Sequence, residues 1–381
     1  MSECIHVLHV IRAMDRGGAE TMIMNLYRHI DRSRIKFDFL VHVENKCDYD
    51  DEILKLGGRI FHIIPYRIYN YVSYKSQFKK LLEAHPEIQI VHGHIGSSAS
   101  VYLRVANKLG RYTIAHSHAL NKMDNLSDII FKIMTLDNRW ISDYYLGCSY
   151  QAGVDQYGKK VVSSEKFKVL NNSIDASKYV YDSEIQRKMK TSLGLEGKIV
   201  FGHVGRISFH SSCRRVLYNN KSFLLEVFSE IVKIEPKAEF ILVGRGGLED
   251  KIKRKVQDMK LVDKVHFLGV REDIPELMIM MDGFVFPSIH EGLGIVAVEA
   301  QAAGLPCLIS EGVPDEAIVT RCVKREQIAA GAKVWAETIL DMYKNIPRIN
   351  RLEEIRTANY DIYETVKQLE NIYTKAVNEE K

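Results

Sequence analysis

Cysteine is scarce and unpatterned. The six residues (Cys4, Cys47, Cys148, Cys213, Cys307, Cys322) make no C-x-x-C pair and no paired Cys/His spacing. Neither a disulfide framework nor a structural zinc site is expected, and a reduced cytosolic compartment is the natural reading. No apolar run approaches the ~18–20 residues of a membrane span. The start, MSECIHVLHVI, has no basic leader and no small-residue cleavage site, so it reads as a strand rather than a signal peptide. The formal charge of +4 is too small to argue for nucleic acid. Neither G-x-G-x-x-G nor G-x-x-x-x-G-K-[ST] occurs, which counts against a Rossmann dehydrogenase and a P-loop NTPase. There is no low-complexity tract and no internal repeat.

What remains is an ordinary globular composition, 46% apolar and 27% charged over 381 residues, enough for two or three domains. Charge is uneven: residues 1–170 carry 23 Lys+Arg against 18 Asp+Glu, and the rest carry 30 against 31. The first half is therefore the part expected to face something anionic. Strands are predicted at 5–11, 37–42, 59–64, 88–94, 112–118 and 144–149, then at 199–206, 239–244, 265–269, 283–288 and 306–310. Runs apolar on both faces, separated by helical spacing, indicate parallel sheets covered on both sides. The polar stretch near residue 180 divides the chain into 1–178 and 179–381. The charged, helix-like tail from 325 is expected to pack across a surface, with the first domain as the candidate for it to pack back on.

In an open parallel sheet, ligands bind beyond the carboxyl ends of the strands. Gly17 and Gly18, after the first strand, open a helix whose free N–H groups suit an anion. A tight turn with Glu20 against the helix dipole explains them equally well. His92 and His94, then His116 and His118, sit in pairs at the ends of two strands and would converge on one crevice. Polar recognition of a substrate is favoured there over metal, because no carboxylate or cysteine accompanies them at ligand spacing. Asp48-Tyr49-Asp50 has the D-x-D form of some metal-dependent sugar transferases, but inside ENKCDYDDE it reads as a solvated helix start.

The most informative stretch is DGFVFPSIHEGLGIVAVEAQAAGLPCLIS, 282–310. A strand ends at Pro287-Ser288, a glycine loop follows, and a helix begins near Gly294. Glu291 and Glu299 lie eight residues apart, about 12 Å along a helical path, which matches the span of a diphosphate-linked nucleotide. Backbone N–H groups at Gly292-Leu293-Gly294 would suit phosphate between them. Glu299, set among Ala, Val and Ile, needs a partner.

Together, R-G-G-A-E at 16–20, I-A-H-S-H at 114–118, V-G-R at 204–206 and EGLGIVAVEA at 291–300 resemble glycosyltransferase family 4. Within it, the likeness is to bacterial transferases of capsule and exopolysaccharide assembly. The resemblance implies an α/β GT-B fold of two facing Rossmann-like domains with parallel sheets. It implies retaining, metal-independent transfer of a sugar from a nucleotide-diphosphate sugar, commonly carried on UDP, to a polysaccharide or lipid-linked oligosaccharide. No cofactor is implied, since the nucleotide-sugar is a substrate. Carried over by position, Glu299 resembles the ribose ligand and Glu291 the acid beside the donor sugar. Gly292, Leu293 and Gly294 resemble the loop on phosphate and sugar, and Arg206 the pyrophosphate arginine. Gly17 and Gly18 match the first-domain glycine loop, His118 the histidine near the donor sugar, and His94 and His116 are placed on the acceptor side. Two other readings share the architecture: a sugar-nucleotide epimerase, and a weakly active nucleotide-sugar-binding partner of another transferase. A dehydrogenase ranks last.

Two features stand apart. Family members read G-R, a few residues, then K-N-x-x-F-L-L, with arginine and lysine together on the pyrophosphate. Here Asn219-Asn220-Lys221-Ser222-Phe223-Leu224-Leu225 keeps the frame with Asn at the lysine position, and SFHSSCRRVLY (208–218) reads as an insertion. The 208–219 departure predicts poor turnover unless Lys221, Arg214 or Arg215 restores the charge. In the segment 65–85, Tyr69, Tyr71, Tyr74 and Phe78 are joined with Arg67, Lys75, Lys79 and Lys80. That mixture suits an anionic membrane surface, with an ordinary amphipathic helix as the slightly favoured alternative. The expected location is cytoplasmic, with peripheral contact at the inner face of the plasma membrane.

Overall fold

The computed structural model describes residues 4–118, 135–205, 214–289, 291 and 293–378, with backbone alone over 214–221. The chain forms two compact units, one built from residues up to Ile174 together with those from Asn359 onward, the other from Asp175–Ala358.

The first unit holds seven parallel strands: β1 (Ile5–Val10), β2 (Ile35–Val41), β3 (Ile60–His62), β4 (Ile88–Gly93), β5 (Tyr112–Ser117), β6 (Tyr144–Gly147) and β7 (Phe167–Val169). Their order is β3-β2-β1-β4-β5-β6-β7. Alternate side chains go to opposite faces, which is why the strands read as continuous apolar runs. Val7, Phe37, Phe39 and Ile90 build one core; Leu8, Val10, Leu40 and Val91 build the other. The helix Gly18–His29 covers the first face through Met22, Ile23, Leu26 and Tyr27, with Glu20 in its first turn and Arg28 and His29 in its last, as the helix dipole favours. The helix Tyr71–Ala84 covers the second through Tyr74, Phe78 and Leu82.

The second unit holds six parallel strands: β8 (Ile199–Val204), β9 (Ala238–Val243), β10 (Val265–Gly269), β11 (Gly283–Phe286), β12 (Cys307–Ser310) and β13 (Val323–Glu326), ordered β10-β9-β8-β11-β12-β13. Phe201, Phe228, Phe240 and Trp335 form its core with the helices Arg214–Ile234 and Ala332–Asn345. In each sheet the strand order reverses once, between β1 and β4 and between β8 and β11. Those reversals are where a parallel sheet leaves a crevice beyond its carboxyl edge.

Three expectations change. The stretch after 325 is not a surface tail. Trp335 is fully buried in the second unit, while Ile362, Leu369 and Tyr373, from the helix Ile362–Asn378, are fully buried in the first. The last segment is tied there by a parallel bridge between Ile174 and Asp361. The part of the supposed insertion at 214–218 is helical backbone, the opening turn of Arg214–Ile234. In the 65–85 segment, Tyr74 and Phe78 are fully buried, so they cannot meet a membrane. Burying such side chains is worth roughly 1.5–3 kcal/mol each, which fixes the face they take. Among the described residues no helix is long and apolar enough to cross a membrane.

Candidate functional site

In the second unit, β8 pairs with β11, so these two strands lie side by side at the reversal. After β11 the chain turns at Pro287-Ser288. The Ser310 hydroxyl at the end of β12 donates to the Ser288 carbonyl, and the Ser288 hydroxyl donates to Glu291 Oε1 at 2.6 Å. The Glu291 N–H donates to the Gly312 carbonyl at 3.1 Å. A Cβ on Gly312 would lie 2.3 Å from the backbone of Ser288 and Ile289, so glycine is what lets this loop close.

Gly294 caps the helix Ile295–Ala302 at φ +78°, ψ +52°, with no side-chain cap. That left-handed conformation favours glycine, and a Cβ there would also approach Phe286 to 3.1 Å. The helix therefore opens on uncapped N–H groups beside Leu293, an arrangement suited to an anion. It starts at Ile295, so only the last part of the Glu291–Glu299 interval is helical, and the expected 12 Å helical path does not apply. Glu299 lies on this helix, half-buried, and accepts a hydrogen bond from the Tyr179 hydroxyl at 2.9 Å. Burial pushes its carboxyl up to about 7, and the Tyr179 bond opposes the rise. Tyr179, in the short helical turn Ala176–Tyr179, is the partner Glu299 needed. Arg206 and Gly292 lie outside the described residues. Lys221 is described by its backbone alone, within the helix Arg214–Ile234.

In the first unit, Gly17 caps the helix Gly18–His29 without a side-chain bond. A Cβ on Gly17 would meet Glu20 Oε2 at 2.2 Å, whereas one on Gly18 would meet nothing within 4 Å. The fold has no need of a glycine at Gly18, and the space above it is open.

At the β1/β4 reversal, the two histidine pairs come together with a fifth ring. His9 Nδ1 lies 2.9 Å from His94 Nε2, and His94 Nδ1 lies 2.7 Å from His118 Nε2. His92 Nε2 lies 3.2 Å from His116 Nδ1, and His92 Nδ1 lies 2.7 Å from the Tyr373 hydroxyl. Burial pushes all five imidazoles down, His9 to about 3 and His118 to about 4, so they are neutral at pH 7. His94, His116 and His118 line a pocket of about 140 Å³ with Ser117, Asn138 and Tyr157. Two overlapping triads, His9–His92–His94 and His94–His116–His118, bring ring nitrogens within 4.8 Å, a spacing a metal could use. Both nitrogens of His94 are nevertheless engaged by neighbouring rings. Asp50 opens the helix Asp50–Lys55 and accepts from the Cys47 N–H at 2.8 Å, while Asp48 accepts from the Arg16 N–H at 3.2 Å. A larger cavity of about 280 Å³, lined by Asp282, Pro306 and Arg348, opens at the amino ends of β11 and β12, away from these loops.

Sequence reasoning missed His9, Tyr179, Gly312 and Tyr373. Position at the end of the strand neighbouring β4 was a signal for His9. Tyr179 and Tyr373 sit 120 and 281 residues from their partners, and nothing local announces them.

The sequence profile described as Glycosyltransferase Family 4 matches residues 16–178, and that described as Glycosyl transferases group 1 matches residues 186–356. EpsF of Bacillus subtilis (strain 168), which bears the name of a glycosyltransferase, is 32% identical over 382 residues, 96% of each chain. A UDP-Gal:alpha-D-GlcNAc-diphosphoundecaprenol alpha-1,3-galactosyltransferase of Escherichia coli is 31% identical over 161 residues, 39% of this chain and 38% of that one. Anabaena HepE, crystallised with UDP, superposes with a TM-score of 0.77 at 16% identity, covering 97% of this chain and all of the other. WaaG, a glycosyltransferase involved in lipopolysaccharide biosynthesis, gives 0.70 at 16% identity over 97% and 100%.

Proposed function

This chain belongs to the family 4 glycosyltransferases of GT-B fold, and from that premise we propose that it moves a sugar from a UDP-sugar to a polysaccharide or lipid-linked oligosaccharide acceptor. Transfer is retaining and needs no metal. The observation that carries the reading is the loop and helix after β11. A left-handed Gly294 leaves the helix N-terminus uncapped, Glu291 is held by Ser288, and Glu299 stands on the same helix with Tyr179 as its partner. Breaking the sugar–diphosphate bond drives negative charge onto the leaving phosphate, and fixed N–H dipoles at such a helix end stabilise it without reorganising. Glu299 takes the ribose hydroxyls, and Arg206, with Lys221, Arg214 or Arg215, supplies cation to the pyrophosphate. Gly17 and Gly18 leave room for the donor in the first unit. His118 faces the donor sugar and His94 and His116 the acceptor.

The acceptor reading draws on the name of the E. coli relative, which acts on a diphosphoundecaprenol-linked sugar. A lipid-linked acceptor calls for a membrane surface. Ile68, Tyr69 and Val72 are 71%, 89% and 78% exposed, side by side with Arg67, Lys75, Lys79 and Lys80. Apolar side chains framed by basic ones suit an anionic lipid interface. The direct test is incubation with UDP-sugars, with and without a lipid-linked glycan. UDP release that requires acceptor, with a product one sugar longer, supports the proposal. Epimerised UDP-sugar without transfer would overturn it.

A further inference from the structure

The histidine network of the first unit has countable protons. A neutral imidazole carries one N–H, so every nitrogen–nitrogen contact in the network holds one hydrogen and fixes the other end of that ring. Two chains result, and they differ in what ends them.

The chain His9–His94–His118 ends in a bare position at both extremities, since among the described residues His9 Nε2 and His118 Nδ1 are buried without a hydrogen-bond partner. Its hydrogens can all point one way or all the other, at equal cost in unpaired groups. The chain Tyr373–His92–His116 is different, because a hydroxyl sits at one end. Tyr373 is fully buried on the helix Ile362–Asn378, and its only hydrogen-bond partner among the described residues is His92 Nδ1. If the hydroxyl donates, His92 carries its hydrogen on Nε2 and donates to His116 Nδ1. His116 then carries its own on Nε2, the nitrogen that has no partner among the described residues. If the direction is reversed, the hydroxyl hydrogen and the His116 Nε2 lone pair are both left unpaired. One orphaned group costs less than two.

We infer that Tyr373 is a positioning residue: through His92 it locks His116 in the Nε2–H tautomer, so that the pocket wall presents a hydrogen-bond donor to a neutral oxygen of the acceptor. This rests on the acceptor-side reading of His94 and His116 made above. The partner chemistry is a sugar hydroxyl, whose lone pair accepts from His116 Nε2–H and whose own hydrogen is offered to Asn138 Oδ1, buried in the same wall without a partner among the described residues. Burial holds the Tyr373 hydroxyl well above its ordinary range and keeps His92 and His116 neutral, so the tautomers persist across neutral pH.

The test is long-range ¹H–¹⁵N correlation spectroscopy on the full chain labelled at histidine, with Tyr373→Phe beside wild type. His92→Gln and His116→Gln supply the assignments. Wild type is expected to show Nε2–H with bare Nδ1 at both His92 and His116. Tyr373→Phe removes the hydroxyl that donates to His92 Nδ1, so His92 is expected to lose that fixed state and His116 to show mixed or reversed tautomers. In the transferase assay, KM for the acceptor is then expected to rise about 3- to 30-fold with kcat and the donor KM unchanged. Thermal unfolding of Tyr373→Phe checks that the fold is intact, since loss of packing alone would not reverse a tautomer. Protonated Nδ1 at His116 in wild type, or unchanged tautomers in Tyr373→Phe, overturns the inference. Tautomers that change while the acceptor KM does not also overturn the positioning role, and place the failure in the acceptor-side reading of the pocket.

Discussion

Glu299 and Tyr179 give nucleotide binding a pH signature. Burial lifts the Glu299 carboxyl from 4.5 to about 7, a difference of roughly 3 kcal/mol between its two protonation states at 1.36 kcal/mol per unit. The folded protein holds this proton more tightly than the unfolded chain. The stability it contributes is therefore complete below the unfolded value and is lost as pH rises through about 7. A ribose diol acts in the opposite direction, since it donates to the carboxylate and favours the ionised form. Nucleotide affinity should therefore climb with pH through the Glu299 titration. The Tyr179 hydroxyl holds that titration down. A hydrogen bond to a charged group is worth about 1.5–3 kcal/mol, so Tyr179→Phe should move it up by roughly one to two units. At pH 7 the ionised fraction would drop from about one half to about 1–10%, weakening UDP by roughly 5- to 50-fold, with the two proteins converging at high pH. Calorimetric titration of UDP across the neutral range reads this. Glu299→Gln supplies the baseline, because it retains the phosphate's own titration near about pH 6. A wild-type profile no steeper than that baseline, or a Tyr179→Phe profile lying on the wild-type curve, refutes the reasoning.

Gly294→Ala should cost about 1–2 kcal/mol in urea unfolding, because φ is +78° there. Gly18→Ala should leave stability intact or raise it while lowering donor affinity, since its Cβ meets nothing in the protein; unchanged affinity would remove Gly18 from the donor site. Asn219→Lys should raise kcat several-fold by adding a cation at the helix that follows β8; no gain, together with collapse of the rate in Lys221→Ala, would show that Lys221 already supplies it. Replacing Ile68, Tyr69 and Val72 together by Ser should release the protein from anionic vesicles in co-sedimentation, and equal binding of wild type to anionic and neutral vesicles would reject membrane docking.

The parts legible in the sequence were those encoded locally. Strands apolar on both faces, such as β1, β2, β4, β8 and β9, declared a parallel sheet, and EGLGIVAVEA announced a loop entering a helix. The edge strands β7 and β13, FKV and VKRE, were not read, because an edge strand is short and half-exposed and so has no apolar run. The run SFHSSCRRVLY looked like a loop because its polar residues hide the start of Arg214–Ile234, whose apolar spacing becomes regular only from Phe223. Within the site, the histidine pairs were readable because period two puts both members of a pair on one face of a strand. Their tyrosine terminus was not, because pairing His92 with Tyr373 depends on a long-range return of the chain that no periodicity reports.

That return has a consequence for how the chain is made. Strands β1 and β2 emerge from the ribosome early, but the face bearing Phe37 and Phe39 is closed by Ile362, Leu369 and Tyr373. The intervening stretch, Asp175–Ala358, is the whole of the second unit. At a synthesis rate of about 5–20 residues per second, those residues take roughly 10–40 s to appear. Throughout that interval the early helix Gly18–His29 is there to cover this face, and the part taken by the helix Ile362–Asn378 stays bare. The later-made unit is thus free to fold first, and the earlier one completes its core only when synthesis has passed the helix Ile362–Asn378.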